Sequence, residues 1–134
     1  MDSGGYLALF STRDAHHAAA TEAADLIARH QWRTFTTNFV IAEAHALFLA
    51  RLGHDPATEL VRQFETSSTT IIRVGTADEQ RARQIVYAYT DKNFSLADAT
   101  SFSVMERFRI GAALTADRNF AQYGFQMLGV EQHS

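Results

Sequence analysis

The 134-residue sequence contains no cysteine, one proline and one lysine. The absence of cysteine excludes disulfide bonds, thiolate metal sites and cysteine nucleophiles, so any metal must be held by oxygen or imidazole ligands. No apolar run approaches the roughly 20 residues that a membrane-spanning helix needs, and the N-terminus shows no basic stretch followed by an apolar run. We therefore expect a cytoplasmic protein with no membrane association.

The charge balance is acidic, with 15 aspartates and glutamates against 12 lysines and arginines and a net charge of −3. This balance disfavours a simple electrostatic binder of nucleic acid. Eleven of the twelve basic residues are arginines, however, and arginine suits bidentate contacts with phosphate better than lysine does. An acidic total also has a second interpretation, in which carboxylates are concentrated where a divalent cation neutralises them.

Apolar periodicity predicts alternating helices and strands in one domain spanning residues 1–134, since no linker or repeat divides the chain. Such alternation indicates an α/β fold with a mainly parallel sheet. Helices are predicted over 16–30, 38–52, 56–67, 76–90 and 95–109, and strands over 33–37, 69–74, 112–115 and 125–128.

Several helix boundaries carry local signals. Gly53 is a plausible stop, and Asp55-Pro56 has the form of an N-cap followed by a first helical residue. Thr76–Glu79 and Ser95–Asp98 each have the form of a capping box. Gly111 is expected to terminate the helix that starts at the second box.

Most of the acidic residues are expected on solvated faces, but Glu43 is not. Val40 lies three residues before it and Leu47 four residues after it, which places all three on one helix face. A carboxylate in an apolar stripe is desolvated unless it is paired or bound to a cation. The alternative is a glutamate at the edge of the stripe that reaches solvent or pairs with an arginine.

Asp98 also has two interpretations. As the fourth residue of its capping box it can simply favour the start of the helix. Phe102 and Met105 nevertheless follow at four and seven residues, which places Asp98 above the apolar face. Capping explains the residue type without requiring that orientation.

Asp117 follows a short apolar strand, and Asp2 precedes Ser-Gly-Gly and the apolar run 6–10 in what we interpret as a strand-to-helix turn. Ligands of open α/β sheets collect at the carboxyl ends of strands, although a turn aspartate taken alone is usually a turn former. Four carboxylates gathered without a lysine favour a bound cation. Hard oxygen ligands suit Mg²⁺ or Mn²⁺, which can activate water and stabilise charge on a phosphodiester.

The order and spacing of these residues resemble the PIN-domain family, particularly its toxin-type (VapC-like) ribonucleases. Each motif is short, but the ordered set covers nearly the whole chain. The matching segments are DSGGYLALF (2–10), TTNFVIAE (36–43), FSLADATSF (94–102) and LTADRNF (114–120).

The resemblance implies an acidic metal site, a three-layer α/β/α sandwich, Mg²⁺ or Mn²⁺ as cofactor, and endonucleolytic cleavage of RNA. It also implies a homodimer and a cognate antitoxin protein, as expected for the toxin of a type II toxin–antitoxin pair. Carried over to this sequence, the metal and catalytic residues are Asp2, Glu43, Asp98 and Asp117, and the supporting residues are Thr36, Thr37, Thr115 and Asp91.

One departure concerns the first strand. Relatives have several apolar residues before the first aspartate, whereas only Met1 precedes Asp2 here. We therefore expect a truncated first strand, and a native chain that begins further upstream.

Other features support no competing site. The six histidines show no metal-binding spacing, and no phosphate-binding glycine loop is present. The alternative function is a catalytically impaired protein of the same fold that binds RNA or a protein partner. The sequence does not distinguish among nucleic-acid substrates.

Overall fold

A computed structural model describes residues 5–8, 33–115 and 118–129, with side chains described within 33–115 and 118–127. The described strands form one parallel sheet in the order β3-β2-β1-β4-β5. The predicted α/β class is confirmed. The strands are β1 (Gly5–Ala8), β2 (Arg33–Thr37), β3 (Thr70–Ile72), β4 (Ala112–Thr115) and β5 (Gln126–Gly129).

The central position of the sheet belongs to β1. Its residue Leu7 pairs with Phe35 of β2 on one side and with Ala113 of β4 on the other. The prediction that a strand-to-helix turn separates Asp2 from the apolar run 6–10 was wrong, because part of this run supplies the central strand. Hydrogen bonds to two neighbours compensate for the short length of this strand.

Five helices lie within the described residues and agree closely with the predicted ranges. Their boundaries differ from prediction by at most two residues, apart from α5, which was not predicted. The helices are α1 (Asn38–Leu52), α2 (His54–Thr66), α3 (Thr76–Ala88), α4 (Leu96–Phe108) and α5 (Asn119–Tyr123).

Two helix starts differ from the predicted caps. Gly53, at φ 98°, ends α1 and also serves as the N-cap of α2, so Asp55 lies in the first turn of α2 and is not its cap. The reciprocal bond of α3 runs from the Gly75 N–H to Asp78 Oδ2 at 3.2 Å, one residue earlier than predicted. At Gly53 the positive φ, which favours glycine, sets where α2 begins, whereas α3 begins one residue early because Asp78 bonds back to Gly75.

The end of α4 also differs from prediction. Arg109 adopts the left-handed conformation with φ 58°, and its N–H donates to the carbonyls of Met105 and Glu106. Gly111 lies beyond this cap, so it does not terminate the helix. The Ile110 N–H donates to the Met105 carbonyl at 2.9 Å and completes the turn.

The main core lies between one face of the sheet and the pair formed by α3 and α4. Ile85, Phe102, Val104 and Met105 have no exposed surface in this core. A smaller core joins α1 to α2 through Ala44, Leu60 and Phe64. The carboxyl-terminal half of α1 is therefore supported mainly by α2.

None of the helices described here is long and apolar enough to span a bilayer. The predicted helix over 16–30 lies outside the described residues, as do Asp2 and Asp117.

Candidate metal-binding and nuclease site

The topology brings two helix N-termini to the carboxyl edge of the sheet. Helix α1 follows directly from the last residue of β2, Thr37. Helix α4 leads back to the first residue of β4, Ala112, so its own N-terminus lies about 20 Å away, towards the carboxyl edge. Because β2 and β4 both flank β1, the strand order changes direction here, which is where open α/β sheets bind ligands.

Glu43 lies in the second turn of α1. Val40 and Ala44 are buried, whereas the side chain of Glu43 is exposed at the edge of their face. At 100° per residue, Glu43 is offset from the centre of that face, which explains why the predicted inward orientation is only partly met. Partial burial, followed by the negative charge of Asp98, raises the pKa of Glu43 above its ordinary value of 4.5.

Asp98 is the third residue of α4, and its carboxylate has two differently used oxygens. Oδ2 accepts hydrogen bonds from the Ser95 N–H at 3.1 Å and from Asn119 Nδ2 at 2.9 Å. In return, Ser95 Oγ accepts from the Asp98 N–H at 2.9 Å, so the predicted capping box is confirmed. No described residue donates to Oδ1. Capping and ligand binding are therefore compatible roles for this one carboxylate.

Glu43 and Asp98 are close enough for the charge of Asp98 to raise the pKa of Glu43, and the described residues supply no cation paired with either one. None of the described lysine or arginine side chains forms an ion pair with either carboxylate. Two neighbouring carboxylates in partly desolvated surroundings suit a hard divalent cation, which would remove their repulsion. The described residues alone do not contain three potential ligands in one group. The two carboxylates thus fit one side of the predicted metal site.

The three predicted threonines are buried at the ends of β2 and β4. Thr37 Oγ1 accepts from the Val40 N–H at 2.9 Å and caps α1. Thr36 has no exposed surface, and its Oγ1 has no hydrogen-bond partner in the part of the chain that is described. Thr115 is 7% exposed at the end of β4. Of the three, Thr37 has a hydroxyl with a clear structural role.

Asp91 is less integrated than the other predicted residues. Its side chain is 77% exposed and pairs with Lys92 at 3.3 Å. This contact gives Asp91 a surface role and leaves its predicted support of the site a prediction.

Sequence reasoning missed Asn119, the first residue of α5. Besides Asp98, its Nδ2 donates to the Asn93 carbonyl at 3.3 Å. The residue lies in the LTADRNF motif that carries Asp117, but a partner 21 positions away leaves no signal in residue spacing.

The sequence of this chain matches a known protein family. The model of the PIN domain matches residues 2–126. The chain belongs to the PIN-domain family. Among its relatives is 23S rRNA-specific endonuclease VapC20 of Mycobacterium tuberculosis, 32% identical over 128 residues, which are 93% of each chain. Ribonuclease VapC26 of the same organism is 29% identical over 118 residues, 88% of this chain and 85% of that protein.

The fold of this PIN domain also resembles a solved structure. The crystal structure of M. tuberculosis VapC20, described as a sarcin–ricin loop cleaving toxin, superposes with a TM-score of 0.73. The alignment covers 90% of this chain and 95% of that chain at 23% identity. This similarity supports the fold of the domain, including the three-layer arrangement expected of the family.

Proposed function

We propose that this PIN domain is a metal-dependent endoribonuclease and the toxin of a type II toxin–antitoxin pair. The observation that carries the proposal is that Glu43 and Asp98 repel each other at the carboxyl edge of the sheet and lack a cationic partner among the described residues. The relatives named as ribonucleases support RNA as the substrate.

We assign Glu43, Asp98, Asp117 and Asp2 as the residues that hold Mg²⁺ or Mn²⁺. One sequence relationship supports the inclusion of Asp117, which precedes Asn119, the partner of Asp98, by two residues. Asp2 is included on the family motif alone. A divalent cation bound there supplies positive charge that stabilises the scissile phosphodiester during attack by water.

The protein's own residues contribute position and charge. Asp98 is held by two hydrogen-bond donors on Oδ2, so Oδ1 remains directed away from the capping interaction. Glu43 is partly desolvated, and its raised pKa shows that the protein opposes its ionisation unless positive charge is nearby. A cation would therefore stabilise the ionised form of both groups, and this coupling makes cation binding dependent on pH.

We further propose cytoplasmic location, a homodimer and inhibition by a small antitoxin protein. The exposed leucines of α1, Leu49 at 46% and Leu52 at 54%, are consistent with contact between two copies.

The test is cleavage of a panel of structured RNAs in the presence of Mg²⁺ or Mn²⁺. The panel includes a 23S rRNA fragment that contains the sarcin–ricin loop, because the relative VapC20 is described as cleaving it. We expect cleavage by the wild-type protein and none by Asp98→Asn, which keeps the shape of the side chain but removes its charge.

The matched control is Glu65→Gln, which neutralises an exposed acid on α2. We expect this variant to cleave like the wild type. Equal cleavage by wild type and Asp98→Asn would reject the assigned mechanism. RNA binding without cleavage by the wild type would replace the nuclease with a binding protein.

A further inference from the structure

The amide of Asn119 connects three segments around the candidate site. Its Nδ2 lies 2.9 Å from Asp98 Oδ2 and 3.3 Å from the Asn93 carbonyl oxygen. A primary amide nitrogen carries two hydrogens, so it can donate to both acceptors at once. Both neighbours are acceptors only, which fixes the orientation of the amide with its nitrogen towards them. Asn119 thereby joins the start of α5 to the start of α4 and to the loop before it.

We propose that Asn119 is a positioning residue that sets the affinity of the site for a divalent cation. It holds Oδ2 of Asp98, so that Oδ1 is presented to the cation in a single orientation. The inference rests on the proposed function, because it assumes that Asp98 is a metal ligand. Asn119 acts through Asp98 and is not itself assigned as a ligand.

The chemistry of an amide suits this role better than that of a charged donor. An arginine or lysine in the same place would neutralise Asp98 and compete with the cation for it. An uncharged amide instead restricts the rotation of the carboxylate and leaves its negative charge available. Hydrogen-bond partners of metal ligands typically contribute about 10- to 100-fold in metal affinity or activity.

Ser95 provides a matched control at the same carboxylate. Its backbone N–H donates to Asp98 Oδ2, and this donor survives any substitution except proline. Its hydroxyl accepts from the Asp98 N–H and stabilises the start of α4. Ser95→Ala therefore removes a helix cap while keeping both donors to Oδ2, whereas Asn119→Ala removes one donor and keeps the cap.

The experiment measures Mn²⁺ binding to the full chain by calorimetry, together with the melting temperature of the metal-free protein. For Asn119→Ala we expect Mn²⁺ affinity to fall about 10- to 100-fold with little change in melting temperature. For Ser95→Ala we expect a lower melting temperature and nearly unchanged Mn²⁺ affinity. Asn119→Ser, which retains one hydroxyl donor, is expected to bind Mn²⁺ with intermediate affinity, and it replaces the alanine variant if that variant does not fold.

Asp98→Asn separates failure of this inference from failure of the proposed function. If Asp98→Asn binds Mn²⁺ as the wild type does, Asp98 is not a ligand and the assigned metal site fails. If Asp98→Asn loses binding while both Asn119 variants retain it, the positioning role alone is rejected. Equal losses of affinity in Ser95→Ala and Asn119→Ala would show that Asn119 only supports the fold.

Discussion

The acidic residues at the two ends of α4 have opposite electrostatic surroundings. At the carboxyl-terminal end, Glu106 accepts hydrogen bonds from Arg81 and Tyr123, and these contacts lower its pKa below the ordinary value of 4.5. At the amino-terminal end, Asp98 lies near Glu43, whose pKa is raised. Helix α4 thus carries a carboxylate paired with arginine at its carboxyl-terminal end. At its amino-terminal end it carries Asp98, which lies near Glu43 of α1 and forms no ion pair with a described lysine or arginine.

The packing between α3 and α4 strengthens this contrast. Asp78 is buried, and Arg107 donates to its two carboxylate oxygens at 2.9 and 2.8 Å. Both acids that join α3, α4 and α5, Asp78 and Glu106, are therefore paired with an arginine. The absence of arginine beside Glu43 and Asp98 within the described residues therefore distinguishes the candidate site from a structural ion pair.

The largest expected effect comes from substitutions at the amino-terminal end of α4, where Asp98 lies near Glu43. Glu43→Gln and Asp98→Asn are each expected to reduce metal-dependent RNA cleavage by more than about 100-fold, because a ligand contributes more than the outer partners that orient it. Initial cleavage rates at saturating Mg²⁺ measure this effect. Glu106→Gln, at the other end of α4, is the control and should retain cleavage while folded. Loss of cleavage in all three variants would remove the contrast.

The next largest effect comes from the carboxyl-terminal end of α4, where Arg107 pairs with Asp78 of α3. Asp78→Ala removes the acceptor for Arg107 and for the Gly75 N–H, and we expect the free energy of unfolding to fall by about 2–3 kcal/mol. The exposure of Arg107, at 44% for its side chain, limits the cost because water can solvate the released guanidinium. Urea unfolding measures the change. An unaltered unfolding midpoint would show that this ion pair contributes little to stability.

A smaller effect compares the neighbouring threonines at the end of β2. Thr37→Val removes the cap of α1, and it should lower the free energy of unfolding by about 1 kcal/mol. Thr36→Val replaces a buried hydroxyl that has no partner among the described residues, so it should be neutral or stabilising. Thermal unfolding of both variants tests the difference. Equal destabilisation would indicate that the Thr36 hydroxyl also contributes to the fold.

The smallest effect concerns the pH dependence of stability in the metal-free protein. The raised pKa of Glu43 means that its ionised form is destabilising above the folded pKa. Glu43→Gln should therefore be more stable than wild type at neutral pH, and this advantage should disappear as pH falls through the folded pKa towards 4.5. Urea unfolding across this range measures it, and an advantage that grows with falling pH would contradict the assignment.

Glu106 gives the opposite profile. Its lowered pKa contributes stability above 4.5, and this contribution is lost as pH falls through the folded pKa. Glu106→Gln should therefore be less stable than wild type at neutral pH and equal to it at low pH. Parallel profiles for the two glutamine variants would show that the two ends of α4 do not differ electrostatically.

Local signals predicted most of the elements because each depends on neighbouring residues. Hydroxyl capping placed the start of α4 at the correct residue, and β-branched residues marked β3. Predictions failed where a conformation depends on longer contacts. The sequence did not show that Gly5–Ala8 would occupy the centre of the sheet, since strand pairing joins residues far apart in the chain.

The sequence by itself determined the α/β class, the family and the identity of the candidate carboxylates, because residue type and order are sufficient for these. Only the tertiary structure decided how those carboxylates are held. It placed the amide of Asn119 against Asp98 and left the side chain of Glu43 exposed at the edge of its helix face. Among the described residues, neither Glu43 nor Asp98 has a cationic partner. These properties arise from contacts between separate segments, and local propensity does not specify them.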